Sequence, residues 1–117
     1  MDAIIVFVGT NDFFANVPVG EWYAFSTKDV EVSGPAVQQC RYRELIYDNS
    51  TFKGRTNIVM RWLKSHYPDK QIIFLTPLHR GYAYFRADNI QPSESYANAG
   101  GYFIDDYVAA IKEQSLV

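Results

Sequence analysis

Residues 4–12 read IIVFVGTND, an apolar run that ends in a glycine, a hydroxyl, an amide and a carboxylate at Gly9, Thr10, Asn11 and Asp12. Each type has a use where chemistry is done. The Asn11 amide offers two N–H donors that can face a developing oxyanion. Gly9 allows close backbone approach or a positive φ. Thr10 can cap a helix, and Asp12 can orient Asn11 or cap a turn. The plain alternative is an Asx turn at a strand end, and the tetrapeptide alone does not separate the two. A second polar group follows another apolar run: QIIFLTP leads into Leu78, His79 and Arg80. His79 and Arg80 are therefore candidates to line a ligand. Trp22, Tyr23, Tyr82, Tyr84 and Phe85 could stack on a sugar ring or an acyl chain, or simply pack their loops down.

The elements that must position these groups come from hydrophobic periodicity. Residues 3–8 and 71–76 are nearly continuous apolar runs without polar alternation, the pattern of parallel strands covered on both faces. Between them, residues 51–67 place Val59, Trp62, Leu63 and His66 at helical spacing, and Pro68 closes the segment. Strand, helix, strand is the βαβ order. In such sheets ligands bind beyond the carboxyl ends of the strands, where both Asn11 and His79 would stand. A last helix is expected over 101–114 on a stripe of Phe103, Ile104, Tyr107, Val108 and Ile111. Residues 77–98 read mainly as loop. Residues 13–50 read as a long loop rich in aromatics, with a short strand or helix over 38–47. Two strands and two helices cannot cover both faces and edges of a sheet. The missing cover must come from further chain or from another copy, so a homo-oligomer is expected to shield the sheet edges.

At 117 residues the chain has room for one core. It is 48% apolar and 21% charged with a net charge of −2, a folded composition without the basic patch of a nucleic-acid binder. No apolar stretch approaches the length needed to span a bilayer. One cysteine, Cys40, and two histidines make no zinc set, and no metal or other cofactor is expected. A phosphate loop should open a helix directly, whereas GTND runs into aromatic sequence. His66 reads as a helix-terminal histidine and Asp105-Asp106 as a solvated face. Nothing in the sequence fixes the compartment.

The run IIVFVGTND resembles the Gly-x-Asn-Asp block of the SGNH (GDSL-type) esterase and lipase superfamily. YPDKQIIFLTPLHR is similar to the next strand of those hydrolases, and GGYFIDDYVAAIKEQ to the helix that follows. The resemblance implies a flavodoxin-like α/β fold, a three-layer parallel sheet flanked by helices, of which residues 1–117 form a single partial domain. It implies ester hydrolysis with Asn11 as oxyanion-hole donor, Gly9, Thr10 and Asp12 in support, and a small acyl or carbohydrate ester as substrate. The chain departs from the family in two places. It has no Gly-Asp-Ser block for the nucleophile, and no aspartate followed three residues later by histidine. Acyl transfer needs a serine, a histidine within reach and an orienting carboxylate. This segment alone is expected to be inactive. The other expectation is a non-catalytic relative that binds ligands or self-assembles.

Overall fold

The computed structural model describes residues 2–34 and 36–117. Strand β1 (Ala3–Phe7) lies parallel to β4 (Gln71–Leu75), with Ile5 beside Ile73 and Phe7 beside Leu75. The intervening helix α2 (Phe52–His66) begins at Thr51, whose hydroxyl accepts the Gly54 N–H at 3.1 Å. This is the cap geometry that satisfies an orphan donor of the first turn. Gly54 has no substitute there, because a Cβ would run into the Asp48 carbonyl. Helix α3 (Ile104–Gln114) starts with Asp106 accepting the Phe103 N–H at 2.8 Å.

The core gathers Phe13, Val17, Val19, Trp22, Phe52, Ile104, Tyr107, Ala110 and Ile111. Tyr107 is fully enclosed. Its ring meets Phe13 and Phe52 edge-on, and its hydroxyl donates to the Val17 carbonyl. Of the stripe expected on α2, Leu63 is buried while Val59, Trp62 and His66 are exposed. The helix instead buries Phe52, Thr56 and Asn57. Trp62 and His66 stack on one another at 4.0 Å outside the core.

Two expectations give way. Residues 13–50 are not mainly loop: they contain the short helix α1 (Thr10–Phe14, begun just before this stretch) and a long antiparallel hairpin, β2 (Tyr23–Ser33) with β3 (Ala36–Leu45). Residues 77–98 hold a smaller hairpin, β5 (Ala83–Arg86) with β6 (Asn89–Gln91). The described residues form a mixed α/β unit with three separate two-stranded sheets, of which only β1–β4 is parallel, and not a three-layer sheet. Strands β1 and β4 are covered on one face. Ile4, Val6, Ile72 and Phe74 turn inward, while Ile5, Phe7 and Leu75 are 64%, 54% and 43% exposed. The long hairpin projects from the body, so the radius of gyration is 18.6 Å, against about 13 Å for a compact chain of this length.

The base of the hairpin is fastened to both large helices. Buried Asn57 on α2 donates to the carbonyls of Trp22 (3.2 Å) and Ile46 (2.8 Å). The Trp22 indole N–H donates to Glu113 on α3 at 2.9 Å, and Lys53 reaches the same carboxylate at 3.3 Å. The indole bond first, and Lys53 second, hold the Glu113 carboxyl below the ordinary glutamate range. A depressed folded-state pKa adds stability that is present above the unfolded value and lost as pH falls through the folded one. Acid titration of stability is therefore expected to show a drop below about pH 4.3. Glu113→Gln should reduce this drop, measurable as the difference in melting temperature between pH 7 and pH 3.

Candidate functional site

The carboxyl ends of β1 and β4 lie side by side, and the two segments that leave them touch. Gly9 is buried with φ +117°, and a Cβ there would stand 2.9 Å from the Pro77 ring. Both reasons for a glycine hold at this position: the left-handed backbone and the close approach. The turn then enters α1, with the Phe13 N–H bonded to the Gly9 carbonyl at 2.9 Å. Thr10 is the first residue of this helix and makes no side-chain cap.

Asn11 is exposed, at a shallow cleft of about 180 Å³ bordered by Phe7, Val8, Gly9, Thr10 and Asp12. Among the described residues its amide has no hydrogen-bond partner. It is thus free to donate outward. Asp12 does not orient it: its carboxylate takes the Arg55 guanidinium at 3.0 Å and ties α1 to α2.

His79 stands after β4 in a different cleft, of about 460 Å³, with Thr76, Pro77, Glu94, Asp105 and Lys112 on its walls. Its Nδ1 lies 3.0 Å from Glu94, and the Arg80 backbone N–H donates to the same carboxylate at 3.0 Å. The Arg80 N–H first, then His79, keep the Glu94 carboxyl below its ordinary range, so it remains an acceptor. A carboxylate on Nδ1 leaves Nε2 facing solvent, and the His79 side chain is 94% exposed. Asn11 and His79 therefore share the sheet edge but not one cleft.

The remaining candidates are placed as follows. The Arg80 guanidinium lies 4.1 Å over the Phe14 ring and donates to Gln91 at 3.1 Å, joining α1 to β6. Trp22, which could either stack on a ligand or pack its loop down, is 8% exposed and belongs to the core, so the possible lining role is corrected to packing. The correction has a physical cause, since its indole finds a carboxylate on α3 that lies far away in sequence. Tyr82 is 65% exposed and is turned to solvent. Glu94 is the neighbour of His79 that sequence reasoning missed. It reaches His79 across the β5–β6 hairpin, a closure that no local spacing announces. Among the described residues no group of three His, Cys, Asp or Glu could hold a metal, and no helix is long and apolar enough to cross a membrane.

No protein-family profile matches the chain, and no curated protein does. Among solved structures it is similar to the crystal structure of a possible lipase from Chitinophaga pinensis, with a TM-score of 0.70 at 19% identity. The superposition covers 98% of this chain and 38% of that one. The likeness is one of fold: the mixed α/β arrangement is matched over almost the whole length of this chain, which spans well under half of the solved chain.

Proposed function

We propose that this chain is a segment of an SGNH-type serine ester hydrolase in which Asn11 donates to the oxyanion. The observation that carries the reading is the placement of Asn11. A parallel strand delivers it to the carboxyl edge beside Thr76-Pro77, exposed, with an amide that makes no hydrogen bond among the described residues. Gly9 and its contact with Pro77 fix the turn that presents it, and Asp12 anchors that turn through Arg55. The fold likeness to a chain described as a possible lipase supports the same class. The nucleophilic serine and the Asp-x-x-His pair belong to segments outside these 117 residues, and the substrate is a small acyl or carbohydrate ester.

Intact mass before and after a fluorophosphonate probe tests this. The 13.4 kDa chain is expected to stay unlabelled. A longer chain that also carries the Gly-Asp-Ser and Asp-x-x-His blocks should gain one adduct. Labelling of a serine within residues 1–117 would overturn the assignment of the nucleophile.

A further inference from the structure

The β2–β3 ribbon plays no part in the site. It is a two-stranded sheet with both outer edges open, an arrangement only marginally stable in water by itself. Every residue from Phe25 to Val32 is exposed. Alternation along the strands puts Asp29 and Glu31 near the turn, and Arg41 and Arg43 near the base, on one face. The charges are thus segregated by sign along the ribbon. Arg41 lies 4.1 Å over the Phe25 ring and Arg43 lies 4.3 Å over the Tyr23 ring. Among the described residues none of these four charges forms an ion pair, so each keeps its full capacity for an outside partner.

We propose that the open edge of β2 pairs antiparallel with β2 of a second copy, about a two-fold axis at Thr27. Closed two-fold pairing is the commonest way for a chain to bind itself. In this register Phe25 faces the partner's Asp29, and Tyr23 faces the partner's Glu31. Each aromatic already carries an arginine, so Arg41 meets the partner's Asp29 and Arg43 meets the partner's Glu31. The axis repeats both pairs. Thr27 meets its own copy, a favourable cross-strand pair. Other registers lose this fit. Centring on Lys28 or Asp29 sets like charges directly opposite, which destabilises a ladder. Pairing through β3 about Cys40 puts Arg41 opposite Gln39 and Arg43 opposite Val37, and leaves both guanidiniums leaning over the β2 rings, away from the new seam. The proposal is independent of the hydrolase reading.

Sedimentation equilibrium on the purified chain is expected to give twice the 13.4 kDa chain mass, falling towards the single mass as salt is raised. Arg41→Glu with Arg43→Glu should yield monomer. Adding Asp29→Arg and Glu31→Arg to that variant should restore the dimer, which a purely structural role for the arginines would not do. Thr27→Cys in a Cys40→Ser background should form an intermolecular disulfide on oxidation, because directly opposed Cα atoms lie about 4.5–5.5 Å apart. A monomer at all concentrations would overturn the proposal. So would a dimer indifferent to charge reversal, which would place the contact on the open β1–β4 sheet, or cross-linking through native Cys40 alone, which would place it on β3.

Discussion

Replacing Trp22 by alanine should cost about 3–5 kcal/mol of folding stability, the range for deleting a large buried aromatic. Three separate losses converge on this residue. The indole leaves a hole in the core cluster. Glu113 loses its indole donor at 2.9 Å and keeps only Lys53. The Trp22 carbonyl, which accepts from Asn57 and from the Ile46 N–H at 3.0 Å, loses the rigid side chain that positions it, so the hairpin base loosens. A domain of this size has about 5–15 kcal/mol in total, so the change is a large share of the whole. Trp22→Phe should fill most of the hole and lose mainly the hydrogen bond to a charged group, about 1.5–3 kcal/mol. Tyr82→Ala, on an exposed ring, should shift stability by no more than about 0.5 kcal/mol. Urea unfolding of the three variants separates a core tryptophan from one that lines a ligand. If Trp22→Ala and Tyr82→Ala had equally small effects, the packing role would be wrong.

The elements that sequence reveals are those whose burial has a simple period. The runs at 3–8 and 71–76 give β1 and β4 within a residue, because their apolar character does not depend on what covers them. Helices α2 and α3 appear within three residues of their expected bounds through helical spacing and, for α2, the closing Pro68. The face of α2 does not follow its most apolar stripe. Thr56 and Asn57 are buried because their polar atoms bond the Phe52, Trp22 and Ile46 carbonyls, and hydropathy counts such residues as outward. The β2–β3 hairpin is nearly silent for the opposite reason. Both of its faces are exposed, and within YAFSTKDVEVS only DVEVS alternates polar with apolar, a strand signal over fewer than half of its eleven residues. At the candidate site, Gly9 and Asn11 are legible because a strand end needs no tertiary knowledge. The Asp12–Arg55 and His79–Glu94 pairs are not, since each joins elements brought together only by the fold.

Asn11→Ala, made in a chain that also carries the nucleophile and Asp-x-x-His segments, should lower kcat by about 10²–10³-fold, the usual cost of removing one oxyanion donor. The loss should fall on kcat and kcat/KM alike, because in the proposed role the donor acts on charge that develops only in the transition state. Stability should move by less than about 0.5 kcal/mol, since Asn11 is exposed and its amide bonds no other group among the described residues. Asn11→Asp should be at least as damaging to turnover, because it sets an acceptor with negative charge where negative charge must form. These paired readouts divide the two meanings left open by GTND. An Asx turn would make the side chain a structural acceptor, so alanine would lower the melting temperature and leave kcat nearly intact, while aspartate would be tolerated. An oxyanion donor reverses both results. The backbone already leans one way: the segment closes as α1 through main-chain bonds from Phe13 to Gly9 and from Ala15 to Asn11, and needs no amide side chain to do so.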